Sequence, residues 1–252
     1  MYKIPANTLF IGKNLVYVPE CHSTNTLAAE LSQKTGTLDG TVVITDRQTA
    51  GKGQRGNVWE TEAGKNLTFS VILKPSFVAV RDQFNLTIMV SLAVHTILTK
   101  LLGATVKIKW PNDILVNDKK ICGILIENSV SGDKIQNSII GIGLNVNQDA
   151  FPLMTATSMK LISGKLFDAN TVFAMLLEEL ESYYLQLRSG MVDELMNRYL
   201  SNLYWINETH VFRVNDEEMT GMIQGVDRVG RLNVKHENGH WFYDLKEISF
   251  VK

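Results

Sequence analysis

Between Thr41 and Leu73 a glycine-rich loop sits between two strands, and that order limits the fold more than any other feature of the chain. "TVVITDRQ" is a short apolar strand, Thr49 to Glu60 then reads "TAGKGQRGNVWE", and "NLTFSVILKP" follows as a second strand that ends at Pro75. As letters, Gly51, Gly53 and Gly56 spell G-x-G-x-x-G, and Val58 extends the match to the glycine-rich loop of protein kinases. A dinucleotide fold needs a helix to open straight after the glycines, so that a pyrophosphate rests on its N-terminus. None opens here: another glycine, Gly64, and a β-rich run follow. A kinase also needs H-R-D-x-x-x-x-N and D-F-G to place its base and its metal ions, and neither occurs. What remains is a strand-to-strand connection carrying Lys52 and Arg55, in which glycine lets backbone N–H groups surround an anion. A flexible hairpin with solvated charges has the same letters, so the loop alone decides nothing.

Elsewhere the periodicity alternates between strand and helix. "NLVYVPE" predicts a strand ending at Pro19, and "STNTLAAELSQKTG" a helix capped by Ser23 or Thr24 and closed by Gly36. Leu86, Val90, Ala93, Val94, Ile97 and Leu101 follow helical spacing. A strand block comes next: "TVKIKW", "DILVN", "KKICGILIEN" and "NSIIGIGLNVN", with turns at Asp118-Lys119 and at Ser131 to Lys134. Asn147 to Leu166 is irregular, and Asn170 to Leu203 predicts one helix. From Ile206 short strands alternate with turn signals at "NDEE", "RVG" and "ENG", as in a small barrel. The chain therefore reads as α+β, a mixed-sheet unit over residues 1–205 followed by a small β-barrel over 206–252. About 45 residues are few for an autonomous unit, so the barrel is expected to pack on the rest.

Composition sets the class. Of 252 residues, 45% are hydrophobic and 20% charged, enough to bury a real core, and the formal net charge of -1 offers no global basic field for nucleic acid or an acidic membrane. Cys21 and Cys122 are isolated and predict reduced, buried thiols in an intracellular protein. The first ten residues hold no apolar signal-peptide core, and no run approaches ~18 apolar residues. The reading is a cytoplasmic protein.

Two further clusters carry chemistry. "KWPNDILVNDKKICGILIE" places Lys109, Trp110, Asn112, Asp113, Lys119 and Lys120 around two short strands, with Pro111 holding the preceding backbone extended or turning. A corner carboxylate beside lysines suits metal or proton chemistry, and Gly123 lets a ligand approach its strand. A turn-forming Asn-Asp pair among surface lysines fits the same letters. In "GIGLNVN", Gly141 and Gly143 leave room against a flat ring, or simply pack tightly.

Taken together, these segments resemble biotin protein ligases of the bacterial type, in their catalytic and C-terminal parts. The residues that carry the resemblance are "STN" at Ser23 to Asn25, the glycine loop ending in Trp59, "KWPND" with the K-x-x-G-I-L-x-E run from Lys120 to Glu127, and "GIGLNVN". They fall in family order over almost the whole chain; the "KWPND" combination is specific and the glycine loop is not. The resemblance implies a class II synthetase-like catalytic domain with a C-terminal SH3-like β-barrel. It implies an enzyme that uses biotin and ATP, with Mg2+, to make biotinyl-5′-AMP, and then transfers biotin to a lysine of a biotin carboxyl carrier protein or domain. A homodimer is compatible with it, since family members can dimerise through sheet edges.

Carried over by position, the biotin site comprises Ser23, Thr24, Asn25, Gln48, Gly51, Lys52, Trp59, Lys120 and Gly123. The adenylate site comprises Lys52, Gln54, Arg55, Gly56, Trp59, Asn112, Lys120, Gly141, Gly143 and Asn145. Lys120, Asp113, Lys52 and Arg55 are the catalytic set, and Asp113 is the expected Mg2+ contact. The family loop often reads G-R-G-R-x-G; here Lys52 loses the planar guanidinium fork and Gln54 stands where an arginine helps retain the adenylate. Only about twenty residues precede "STN", too few for the helix-turn-helix domain of some relatives, so an enzyme without operator binding is expected. Two rivals stay open: a lipoate or octanoate ligase of the same fold, whose arginine-rich loop and histidine signature are not evident, and a biotin or adenylate sensor, which Gln54 alone favours.

Overall fold

The computed structural model describes residues 2–237 and 239–251, without the Arg55 side chain. Seven strands form the main sheet: β1 (Leu15–Cys21), β2 (Thr41–Gln48), β3 (Leu67–Leu73), β4 (Val106–Lys109), β5 (Asp113–Val116), β6 (Lys119–Ser131) and β7 (Lys134–Leu144). Their spatial order is β1-β2-β3-β7-β6-β5-β4. The β1–β2 pair is parallel and the other pairs are antiparallel, so the sheet is mixed.

Helix α1 (Thr24–Ser32) covers part of one face, where Ala28 meets Val43, Ile72 and Ile139. The other face is covered by α2 (Phe84–Leu102), α4 (Ala169–Arg188) and α5 (Val192–Ser201), with a short α3 (Met159–Ser163) between α2 and α4 in the chain. By length and composition the stretch Val80–Leu102 could cross a membrane, with mean hydropathy 1.5, contrary to the expectation that no run would approach that. Its apolar side chains from Leu86 to Leu98 are buried in the main core, so α2 is a core helix that is apolar over most of its circumference.

The second sheet contains β8 (Thr209–Val214), β9 (Glu217–Val226), β10 (Leu232–His236), β11 (Gly239–Tyr243) and β12 (Ile248–Phe250), in the antiparallel order β11-β10-β9-β8-β12. The α+β reading with a mixed sheet and an appended small β unit holds. The second sheet joins the core of the larger unit: Phe212, Ile223, Leu232 and Val234 belong to the same apolar cluster as α2 and α4. Trp110 Nε1 donates to the Gly230 carbonyl at 2.8 Å, and Arg228 forks onto Asp82 at 2.6 and 3.2 Å. That guanidinium holds the Asp82 carboxyl below the usual carboxylate range.

Several local expectations are corrected. β1 runs through Pro19 to Cys21, because it is an edge strand and the residue lacking an N–H costs the ladder nothing there. Helix α1 stops at Ser32, short of Gly36. The single helix over Asn170 to Leu203 is two, divided at Gly190, whose φ of +89 is the left-handed conformation that ends a helix. The β5–β6 turn is Asn117-Asp118, both at positive φ, and β12 carried no signal strong enough to predict. In the "ENG" turn, Asn238 lies outside the described residues.

One buried charge also escaped the sequence. Glu181, 4% exposed on α4, accepts backbone N–H bonds from Leu9, Phe10 and Ile11, and so pins the segment before β1 to the core. Replacing it, as Glu181→Ala, strands these donors and should lower unfolding free energy by about 2–4 kcal/mol, seen as a lower urea midpoint. The thiols are both free, but Cys21 is only half-buried, contrary to expectation, while burial pushes the Cys122 thiol far up. A disulfide-exchange reagent at pH 8 should therefore titrate Cys21 in the native protein and Cys122 only after unfolding.

Candidate active site

The site lies on the face that α1 leaves uncovered. Along β7, Ile140, Ile142 and Leu144 point into the main core, while Ile139, Gly141 and Gly143 point the other way. Ile139 packs under α1. At Gly141 a side chain would strike Asn25, its Cβ falling 2.2 Å from Asn25 Oδ1; at Gly143 it would fall 2.2 Å from the indole of Trp59. Gly123 lies opposite Gly143 on β6, and a Cβ there would fall 3.0 Å from the same indole. The room against a flat ring is thus taken by the protein's own Trp59. The Trp59 indole N–H is buried without a hydrogen-bond partner among the described residues.

Lys120 reaches this face because of a bulge. Pairing between β5 and β6 shifts between Ile114 and Leu115, leaving Ile121 as the extra residue. Ile121 and Cys122 are consecutive and both fully buried, so the strict alternation of a strand is broken. The slip turns Lys120 to the same side as Gly123, where a regular strand would bury it in the core. Its Nζ sits 2.7 Å from Asp113 Oδ1 and 5.6 Å from the centroid of the Trp59 ring. Asp113 pairs with Gly123 across the hairpin, and Asn112 clamps the same strand by donating to the Ile124 carbonyl at 2.6 Å.

The other end of the cleft is neutral and polar. Ser23 occupies the N-cap position of α1 but makes no side-chain cap bond, and the residue is buried at the cleft wall. Gln48 Oε1 accepts the Thr24 N–H at 2.7 Å, which leaves Nε2 as the donating end of that amide. Asn25 Nδ2 donates to Glu127 Oε2 at 2.7 Å and to the Leu125 carbonyl at 3.3 Å. The Asn25 amide is spent on the protein, so Asn25 braces the wall.

The glycine loop folds over the cleft as a small hairpin. Lys52 bridges Val58, the Gly53 N–H reaches the Asn57 carbonyl at 2.7 Å, and a 3-10 turn at Gln54–Gly56 closes the tip. No helix follows, as the sequence required. Gly51 lies behind the wall, where its backbone meets that of Trp59 and a side chain would collide with the Trp59 carbonyl.

One cleft, with about 680 Å³ of empty space counted to its mouth, is lined by Ser23, Thr24, Asn25, Gln48, Lys52, Gln54, Trp59, Asn112, Asp113, Lys120, Gly123, Gly141 and Gly143. Gly56 and Asn145 do not reach it. Gly56 turns the loop tip, and Asn145 is buried, donating to the Thr157 carbonyl at 3.0 Å. The Arg55 side chain, expected here, lies outside the described residues. Sequence reasoning missed the wall residues Thr68, Ile124 and Leu125, and Ser70 behind them. The strand alternation of "LTFSVIL" does place Thr68 and Ser70 on the cleft face. The Asp113 carboxylate, expected to contact Mg2+, is paired with Lys120, and the described residues hold no cluster of three or more metal-ligating side chains, so they build no metal centre from protein side chains alone.

Comparison with known proteins agrees with this geometry. Residues 17–145 match the model of the biotin/lipoate A/B protein ligase family. The chain is 32% identical over 237 residues to the bifunctional ligase/repressor BirA of Bacillus spizizenii, covering 92% of this chain and 72% of that one. A biotin--[acetyl-CoA-carboxylase] ligase of Paracoccus denitrificans is 29% identical, over 90% of this chain and 97% of that one. Among solved structures, the biotin protein ligase of Aquifex aeolicus in complex with biotin and ATP superposes with a TM-score of 0.79 at 27% identity, covering 95% and 99% of the two chains. Motif, fold and similarity coincide, and the chain belongs to the biotin/lipoate A/B protein ligase family, among its biotin protein ligases.

Proposed function

We propose that this protein activates biotin with ATP as biotinyl-5′-AMP and transfers it to a lysine of a biotin carboxyl carrier domain of a carboxylase, in the cytoplasm. The observation that carries the reading is the division of one cleft into two ends. Ser23, Thr24 and Gln48 form a neutral end that suits the ureido head of biotin, and Lys120 with Lys52 forms a cationic end that suits its carboxylate and a phosphate. Similarity to ligases of that specificity supports the same assignment.

The chemistry follows from the charges. A carboxylate is a poor electrophile, so one of its oxygens attacks the α-phosphorus of ATP and pyrophosphate leaves, producing a mixed anhydride. The acceptor amine then attacks the activated carbonyl, and AMP leaves with the electrons of the broken C–O bond. Negative charge crowds the α-phosphate in the first step, where Lys120, aimed by Asp113 and backed by the Trp59 ring, supplies a fixed cation. Asp113, once Lys120 turns to the phosphate, stands ready to receive the proton of the incoming lysine. Magnesium that enters on the nucleotide's phosphates belongs to the substrate. The loop hairpin, with Lys52 at its mouth, closes over the adenylate, and Gln54 offers a neutral amide there.

Incubation with ATP, magnesium and biotin should give biotin-dependent exchange of labelled pyrophosphate into ATP, whereas exchange supported by lipoate alone would reassign the substrate. The Lys120→Ala variant should lose roughly 10²–10³-fold in exchange rate while retaining its circular dichroism spectrum. A Lys120→Ala protein that exchanges normally removes this lysine from the mechanism. The Gly143→Ala variant should displace Trp59, raising KM for biotin and changing the intrinsic fluorescence, with thermal stability read alongside.

A further inference from the structure

Behind the neutral end of the cleft, a chain of hydrogen bonds fixes which way a single proton points. Asn25 Nδ2 faces two acceptors, Glu127 Oε2 and the Leu125 carbonyl, so the amide orientation is set and Oδ1 faces Ser70. Ser70 is fully buried on β3, and its Oγ lies 2.6 Å from Asn25 Oδ1 and 2.8 Å from Thr24 Oγ1. Ser70 has one proton, and Asn25 Oδ1 has none to give. The shorter contact therefore takes the Ser70 proton, and Ser70 becomes an acceptor toward Thr24. The other protein neighbour of the Thr24 hydroxyl, Gln48 Oε1 at 3.2 Å, is also an acceptor. Both partners demand the Thr24 proton, so it points into the protein and the hydroxyl offers the cleft only lone pairs.

We infer that Ser70 is a positioning residue that sets substrate specificity by holding Thr24 Oγ1 as an obligate acceptor, so that the cleft selects a ring bearing an N–H at that point. This rests on the reading of the neutral end as the ureido site. The Gln48 amide supplies the complementary donor, so the pair matches the adjoining N–H and C=O of a cyclic urea. A ring with no N–H, such as a cyclic disulfide, leaves the buried lone pairs unanswered, and a ring oxygen sets lone pair against lone pair. Ser70 does not line the cleft and acts only through Thr24.

The test compares equilibrium binding of biotin with that of its two carbamate isosteres, each carrying one ring oxygen in place of a ring N–H. The wild-type protein should bind at least one isostere about ten-fold or more weakly than biotin. In Ser70→Ala only the longer Gln48 contact at 3.2 Å still competes for the Thr24 proton, so the hydroxyl can turn it toward the ring oxygen, and that ratio should fall several-fold while KM for ATP is unchanged. Should Ser70→Ala fail to fold, Thr24→Val removes the lone pairs directly and should collapse the same ratio. A Ser70→Ala protein that weakens biotin and isostere equally, or leaves the ratio at its wild-type value, overturns the inference. A wild-type protein that binds biotin but does not discriminate also overturns it, while one that does not bind biotin overturns the functional reading on which it rests.

Discussion

Strand β7 is the constraint on which the rest of the molecule depends. Its Ile140, Ile142 and Leu144 are locked into the main core, which fixes the strand's register against β3 and β6. The same register presents Gly141 and Gly143 on the opposite face, at the point where α1 ends its cover. Because side chains alternate strictly along a strand, a slip of one residue would turn Ile140 and Ile142 into the cleft and glycines into the core. Core packing and an open site are therefore one requirement. Asn25 from α1 and Trp59 from the glycine loop settle on the bare backbone, so helix and loop are indexed to the same strand.

The cationic end is made differently, by breaking alternation. A regular β6 would bury Lys120 among apolar residues, and the bulge at Ile121 prevents this by giving the core two successive side chains, Ile121 and Cys122. An ion pair as exposed as Lys120–Asp113 contributes little to stability. Its effect is geometric: it holds Nζ over Gly123 and beside the Trp59 ring. The two ends of the cleft thus rest on opposite devices, a strict strand at one and a slipped strand at the other.

Much of this was legible in the sequence, for reasons that differ by element. Strands β2, β3, β6 and β7 read clearly because apolar β-branched runs ended at turn residues, and the absence of a helix after Gly56 excluded the dinucleotide fold. The motif residues Ser23, Thr24, Gln48, Lys120 and Asp113 converge on one cleft because each sits on or beside a strand of one sheet. What escaped was long-range or depended on one residue. Gly190 split a helix that periodicity joined, since the apolar spacing continues on both sides of it. Glu181 carried no local signal, because its partners at Leu9 to Ile11 lie about 170 positions away. The partners of Ser70, Thr24 and Asn25, lie on another element, and Asn145 shared a motif with the cleft glycines while pointing elsewhere. The doubled apolar pair Ile121-Cys122 was a visible sign of the bulge that the expected strand passed over.

The hydrogen bond from Trp110 to the Gly230 carbonyl joins residues 120 positions apart. Trp110 begins the turn that aims Asn112 and Asp113, so the corner of the cleft is held from within the second sheet. During synthesis the strands around the glycine loop can pair while Gly230 is still unmade, yet this corner keeps an unanswered indole N–H until the second sheet emerges. The neutral end of the cleft is built from residues within the first 143 of the chain, whereas its charged corner takes a bond from residue 230, so the two ends draw on different lengths of the sequence.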